Sequence, residues 1–529
     1  MNTVKDIVIF GGKKGADKPQ YTFYNFDGEV EMKTFAQVNY DLTGLGQYLY
    51  KLGLRGKKVA ILSENSYYWI ACYFSIITGK ITAVPMDPKL PDDDIIDIMI
   101  RSGCNAIYYS EDFKDTVEKM KKTDGVVIEQ YIKIEDFYSM VEEGHNEVKN
   151  GVESYLEDDV LPSDLAFLVY TSGTTGKSKG VMLSQENVAA DSVASCRVMT
   201  GGPAIGFLPL HHAFSWVGAL FSGNLLTEWG FICRSLKDIQ KDMNTYHPQN
   251  FSAVPLAVET IYKKIWFTAK KSGREEMLKK GLKISNFLLK LGIDKRRKIF
   301  SEILNNLGGN LEMIVCGGAY LDEQYEKGME AFGIKIINGY GITECSPAVT
   351  CNRLDAYKVG SVGIPLPCNE IKIKDPDEDG IGEICVKGKN VMVGYYNDPE
   401  ATAEVFDGDW FLTGDYGYID EDGFLFFKGR KKNLIILSNG KNVSPEEIED
   451  KLSTIDYVKE VVVYEEKGYI TAEFFLDTVE TPDAKGRIKA DVNEINRKMP
   501  SYKQVTRIKT RDNEFPKTTT LKILRDYKK

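Results

Sequence analysis

The sequence predicts an α/β protein: a large N-terminal domain of layered α/β subdomains followed by a small α+β C-terminal domain. Two observations predict it. Strand-length apolar runs alternate with longer stretches of helical periodicity over most of the chain, and this pattern changes past residue 430. The length of 529 residues is several times a typical domain of roughly 150. A content of 43% hydrophobic and 27% charged residues fits a globular chain with sizeable cores.

Taken in order, Lys58–Leu62, Ile81–Pro85, Leu165–Tyr170 and Met313–Cys316 read as buried strands. The most apolar long segment, Tyr67–Met86, is interrupted by Ser75, Thr78, Gly79 and Lys80. It therefore reads as a core helix followed by a strand, not as a bilayer span. Beyond residue 430, Ser444-Pro445-Glu446-Glu447 combines a capping box with proline at the first helical position. Two strands follow, Val461–Tyr464 and Tyr469–Leu476, then another helix and a basic tail. The expected division is 1–432 and 433–529.

Charge and cysteine usage narrow the function. A formal net charge of -10 excludes the whole molecule as an electrostatic nucleic-acid binder. The nine cysteines are scattered, with no paired spacing for zinc or redox chemistry, which suits a reducing compartment. The N-terminus has no secretory pattern, so a cytoplasmic location is expected.

The densest chemical signal is Tyr170–Gly180, YTSGTTGKSKG, directly after a buried strand. Three glycines let backbone N–H groups approach oxyanions, five hydroxyls add donors, and Lys177 or Lys179 offsets charge. Such a loop suits phosphates better than it suits a bland surface turn. It is not a Walker A loop, because Thr171 stands where that pattern needs its first glycine.

A second signal is geometric. Tyr416–Lys428 reads as two strands around Asp422-Gly423, a two-residue hairpin signal. In that register, facing residues have numbers that sum to 845, which sets Asp415 opposite Arg430. A plain surface ion pair there would contribute only about 0 to 1 kcal/mol.

The Tyr170–Gly180 segment resembles the phosphate loop of adenylate-forming enzymes: acyl-CoA synthetases, peptide-synthetase adenylation domains and luciferases. Five more segments resemble that family in its order. Leu208–Trp216 (LPLHHAFSW) is similar to its carboxylate pocket, and Asn338–Pro347 (NGYGITECSP) to its adenine and magnesium segment. Phe411–Gly417 (FLTGDYG) and Phe427–Glu449 resemble its ribose and hinge segments. PKTTTLKILR, near the C-terminus, is similar to its catalytic-lysine motif. The wording of LPLHH and CGGAYL is most similar to bacterial medium- and long-chain fatty acyl-CoA synthetases.

The resemblance implies a set of roles. Thr171, Ser172, Gly173, Thr174, Thr175 and Lys179 would hold phosphates. Gly318 and Ala319, after Cys316-Gly317, would wall the adenine opposite Tyr340, whose ring face Gly339 and Gly341 are expected to leave open; Asn338 belongs to the same segment. Thr343 would contact the α-phosphate and Glu344 would hold Mg2+, while Asp415, Phe427 and Arg430 serve the ribose segment. Lys432 occupies the hinge position of a mobile small domain. Ser438-Asn439-Gly440 would line the thiol tunnel after rotation. Lys522 matches the catalytic lysine and His212 borders the acyl and thiol path, with His211 structural. One departure is Leu521, where the family usually has glycine before that lysine. The implied co-substrates are ATP, magnesium and coenzyme A.

Amino-acid-activating relatives keep an aspartate after the LP motif, whereas Ala213–Gly218 contains no acid. An α-amino acid would leave its ammonium unpaired there, so an apolar carboxylic acid, fatty or aromatic, is expected. Acyl-CoA synthetase is the leading reading. A ligase loading an acyl carrier protein is the alternative, and a P-loop ATPase or nucleotide sensor a distant third. Residues 263–298 hold thirteen basic and three acidic side chains, and Ile284–Leu304 has apolar positions at helical spacing. That face suits an anionic membrane or an acidic carrier protein, although a core-facing helix with solvated lysines is the plainer reading.

Overall fold

A computed structural model describes residues 1–152, 155–171, 178–198, 202–233, 239–437, 442–517, 523 and 525. Two large sheets with helices packed against them form most of the N-terminal domain. In the seven-stranded sheet, the spatial order is Gly394–Tyr395, Lys179–Ser184, Leu165–Thr171, Thr82–Pro85, Lys58–Leu62, Ala106–Tyr109 and Gln130–Lys133. The nine-stranded sheet has a parallel centre in which Asn250–Ala253, Met313–Cys316 and Lys335–Gly341 lie side by side. A five-stranded antiparallel sheet contains Trp410–Ile419 and Leu425–Arg430.

The four apolar runs are strands, and Tyr67–Ile77 is a helix buried at every residue before the Thr82–Pro85 strand. Its ring face explains the burial. Tyr73 stacks on Phe167 at 5.4 Å, and Phe167 stacks on Trp216 at 4.8 Å, so this helix, the strand leading to the phosphate loop and the LPLHH segment share one core. Aromatic pairs of this kind add about 0.5–1.5 kcal/mol beyond area burial.

The small domain has its own core, built from the Pro445–Ser453 helix, the Val458–Glu466 and Tyr469–Leu476 hairpin and the Ala484–Asn496 helix. Arg507–Arg511, which reads only as part of a basic tail, adds a third strand parallel to Tyr469–Leu476. The capping box is half made. Ser444 Oγ accepts from Glu447 N at 3.4 Å, but the Glu447 carboxylate turns to Lys503 at 2.6 Å, because an ion pair outweighs one neutral backbone donor.

The hairpin at 410–430 differs from the expected turn, yet keeps the expected partner. Ile419 pairs with Leu425 and Gly417 with Phe427, so the turn holds one residue more than the two-residue form and Gly423 takes φ +86°. A register shift between Tyr416 and Gly417 offsets it, and Asp415 still faces Arg430. Gly417 is required there: a Cβ would lie 2.5 Å from the Phe426 carbonyl.

Candidate active site

Three strands end where the motifs begin: Leu165–Thr171 at the phosphate loop, Met313–Cys316 at Gly317-Gly318-Ala319, and Lys335–Gly341 at the Thr343–Cys345 turn. Carboxyl ends of parallel strands are the usual ligand side of α/β sheets. Ser172–Lys177 lie outside the described residues. The base of their loop does not: Thr171 pairs with Lys179 and Tyr170 with Gly180 across an antiparallel hairpin. Arg101 secures one side, donating to Ser178 O at 2.6 Å and Ser178 Oγ at 2.7 Å, with its guanidinium 4.9 Å from the Tyr170 ring centroid.

Lys179 connects this loop to the Thr343–Cys345 turn through a residue that sequence reasoning missed. Its ammonium sits 4.7 Å from the ring centroid of Tyr395, and the Tyr395 hydroxyl donates to Glu344 Oε1 at 3.0 Å. Tyr395 reaches this position because its short strand pairs with Lys179–Ser184, Tyr395 facing Val181. Burial and the Glu344 charge raise the Tyr395 hydroxyl pKa, so it stays a donor. Thr343 is the neighbouring half-buried hydroxyl on the same turn.

The turn itself rests on a buried knot that was also not foreseen. Asn390 Nδ2 donates to the carbonyls of Cys345 and Ala348, both at 2.8 Å, and to Asp191 Oδ1 at 3.2 Å; Ala348 N donates to Asp191 Oδ2 at 3.4 Å. An acid in mid-helix, flanked by Ala189, Ala190 and Ser192 in the 185–198 helix, was the available signal. Asp191 is fully buried, and desolvation raises its carboxyl well above the ordinary range. A raised carboxyl contributes in full below its unfolded value and loses that contribution as pH rises towards its folded one. Asp191→Asn removes the titrating group but sets an amide NH2 against one of its two donors, Asn390 Nδ2 or Ala348 N, so at low pH, where the parent carboxyl is neutral folded and unfolded, it is expected to be destabilised by about 1–3 kcal/mol. Because an amide does not titrate, the variant should also lack the parent's decline in stability as pH rises above the unfolded carboxyl value, read in urea titrations, and an unchanged slope would contradict this account.

On the opposite wall, Asp415 is 1% exposed; its Oδ2 accepts from the Tyr340 hydroxyl at 2.8 Å and its Oδ1 lies 3.1 Å from Arg430 Nε. The carboxylate end of the pair is thus buried, while the Arg430 side chain is 42% exposed. Tyr340 departs from expectation: its ring is not open but 8% exposed, 5.9 Å from the Phe427 ring centroid. The strand continues through Gly341, so Tyr340 shares a buried face with Asn338 and the hydroxyl is drawn inward to Asp415. Asn338 in turn donates to Glu326 at 3.0 Å. Gly318 takes φ +86°, and it and Ala319 are exposed. A Cβ at Gly317 would lie 3.4 Å from the Gly339 carbonyl and 3.7 Å from Phe214, which brings the pocket motif against this wall.

The LPLHH turn is pinned by Asn65, which donates to Leu208 O and accepts from Leu210 N, and by Trp216 Nε1 donating to Leu210 O at 2.6 Å. His211 Nε2 lies 3.4 Å from Asp87, and the His211 and His212 rings are 4.6 Å apart. His212 is half-buried before the short Ala213–Ser215 helix. Gly440, Leu521 and Lys522 lie outside the described residues. Past Arg430, Lys431 pairs with Glu383 at 2.7 Å. Gly429 packs so near the small domain that a Cβ would lie 2.5 Å from Ser444 Oγ.

Among the described residues, no group of three or more His, Cys, Asp or Glu could cage a metal. The donor set fits magnesium that arrives on a nucleotide: Glu344 Oε1 is engaged by Tyr395, and Oε2 remains as a hard oxygen ligand.

These strand ends and turns belong to a large α/β domain followed by a smaller C-terminal one. The chain belongs to the AMP-binding enzyme family, whose model matches residues 12–396, with the AMP-binding enzyme C-terminal domain matching 432–527. A mouse "Long-chain-fatty-acid–CoA ligase 5" is 30% identical over 491 residues, covering 85% of this chain and 71% of that protein. An Escherichia coli "Long-chain-fatty-acid–CoA ligase" is 29% identical over 556 residues, covering 96% and 91%. Among solved structures, an anthranilate CoA ligase in complex with anthranoyl-AMP superposes with TM-score 0.79 at 21% identity, covering 98% of this chain and 95% of that one. A Mycobacterium tuberculosis fatty acyl CoA synthetase superposes with TM-score 0.68 at 21% identity, covering 99% and 97%. The chain is an AMP-forming acid–thiol ligase, of a family that uses ATP with Mg2+ and takes coenzyme A as co-substrate. No helix among the described residues is long and apolar enough to cross a membrane.

Proposed function

We propose that this ligase activates a fatty acid, forming acyl-AMP and pyrophosphate and then passing the acyl group to coenzyme A. The observation that carries the reading is the pocket segment Ala213–Gly218, which has no acid to meet an ammonium and whose Trp216 lies in the aromatic core with Phe167 and Tyr73. The names of the mouse and Escherichia coli relatives support it.

In the first step a carboxylate oxygen attacks the α-phosphorus of ATP in line and pyrophosphate leaves. Two anions must meet, so positioned donors and cations supply most of the acceleration. Lys179 and the loop Ser172–Thr175 would hold the phosphates, and the Thr343 hydroxyl would donate to the α-phosphate. Asp415 and Arg430 would grip the ribose. Phe427 and Tyr340 would meet the adenine opposite Gly318 and Ala319, which requires the Tyr340 ring to turn outward. Glu344 would hold the magnesium that ATP carries; when bound, that ion offsets phosphate charge. Lys522 would bridge carboxylate and phosphate.

In the second step the small domain, residues 433–529, swings about Lys432. Lys522 leaves, and the segment with Gly440 lines the path along which the thiol displaces AMP past His212. The test is carboxylate-dependent pyrophosphate release over medium- and long-chain fatty acids, aromatic acids and amino acids, with and without coenzyme A. Fatty acids are expected to give the highest kcat/KM, with acyl-CoA and AMP as products. A preference for aromatic acids, or transfer only to a phosphopantetheinylated carrier, would replace the reading.

A further inference from the structure

The helix Glu275–Lys290 carries two apolar stripes. One faces inward: Leu278 and Leu282 pack into a cluster with Phe300 and Phe332, and Ser285 is buried beside them. The other faces solvent. Met277, Ile284, Phe287 and Leu291 are all more than half exposed, Phe287 at 63%. At 3.6 residues per turn they fall within an arc of roughly 80°, on the side away from Leu278, Leu282 and Ser285. Lys280 lies within that arc, with Lys283 and Lys290 along one flank, all three exposed and none with a carboxylate in ion-pair range among the described residues; the one acid on that flank, Glu276, pairs with Lys279 at 3.1 Å.

A core-facing helix with solvated lysines explains the first stripe only. The second is a row of large apolar side chains about 21 Å long at 1.5 Å per residue, edged by cations whose aliphatic stems can lie along it. We infer that this outer stripe seats in the interfacial layer of an anionic lipid bilayer, the helix lying parallel to the surface with Phe287 and Ile284 inserted. Charge complementarity favours that occupant. The chain as a whole carries -10, whereas residues 263–298 hold thirteen basic and three acidic side chains, so an anionic surface repels most faces and attracts this one. An acidic protein would satisfy the lysines but not four aligned apolar side chains. The inference concerns a surface and its lipid partner, and its primary readout does not depend on which acid the enzyme activates.

The test is co-sedimentation of the full chain with phosphatidylglycerol/phosphatidylcholine vesicles and with phosphatidylcholine alone. Binding to the anionic vesicles at low salt is expected, falling at least tenfold at high salt and at least tenfold in the exposed-face double variant Ile284→Glu/Phe287→Glu. That variant should keep its circular dichroism and its pyrophosphate release with detergent-dispersed acid. The inference is overturned by absence of binding at low salt, by equal binding to neutral vesicles, or by binding that the double variant retains. Concentration-dependent self-association of the parent that the variant abolishes, with no vesicle binding, would assign the stripe to a second copy instead.

Discussion

Glu344→Gln is expected to lower carboxylate-dependent pyrophosphate release by about 10²- to 10³-fold, the range found when one oriented charge-stabilising group is removed. The carboxylate is the hard oxygen on the turn between the strand Lys335–Gly341 and the strand Ala348–Cys351, and Tyr395 fixes one of its oxygens at 3.0 Å. An amide of the same size keeps the turn, whose fold depends on Asn390 and Asp191 and not on the Glu344 side chain. Stability should therefore change by less than about 1 kcal/mol while kcat falls. Tyr395→Phe is the milder companion. Loss of one hydrogen bond to a charged group costs about 1.5–3 kcal/mol when the group stays buried, less here because Glu344 is only half-buried, so a loss near tenfold is expected. The two effects should not add, since Tyr395 acts through Glu344. Magnesium titrations are the readout that separates them from general damage: Glu344→Gln should shift the magnesium dependence, and an unshifted curve with an undiminished kcat would remove Glu344 from the ion's ligands.

Much of this site was legible because its chemistry is local in sequence. Glycine and hydroxyl density point to a phosphate loop, and although Ser172–Lys177 lie outside the described residues, the two ends of the segment, Thr171 and Lys179, pair as a strand hairpin. The Asp415–Arg430 pairing was legible for a less direct reason. Register sums carry across a hairpin, and the longer turn was cancelled by the shift at Gly417, which turn chemistry alone does not reveal. What could not be read were contacts made by distant segments. Tyr395 meets Glu344 across 51 positions, Asn390 meets Asp191 across 199, and neither pair has a spacing that signals it. Tyr340 was misread because flanking glycines speak only of local space. Strand alternation and a buried partner 75 residues away decide where its ring lies. Arg507–Arg511 hid as a strand because its charged composition masks the alternation that pairing with Tyr469–Leu476 exploits.

Lys522→Ala is expected to separate the two half-reactions. Pyrophosphate release from acid and ATP should fall by about 10²- to 10³-fold, as for loss of another oriented charge at a developing phosphoryl centre. Conversion of a preformed acyl-adenylate with coenzyme A should be nearly unaffected, because a lysine that leaves the site for the thiol step contributes nothing to it. The measurement is paired: radiolabelled pyrophosphate exchange for the first reaction, acyl-CoA formation from synthetic adenylate for the second. Equal loss in both would mean that the substitution disturbs the domain, and full retention of the first would remove Lys522 from the chemistry. Leu521 sharpens the argument. If the backbone before Lys522 adopts left-handed torsions in the adenylating arrangement, leucine costs about 1–2 kcal/mol there relative to glycine. Leu521→Gly should then raise the rate of the first step by up to about tenfold and leave the second alone. A first-step rate that is unchanged or lower would mean that this chain presents its lysine on a loop of ordinary torsions, and that the leucine side chain belongs to how the loop is held.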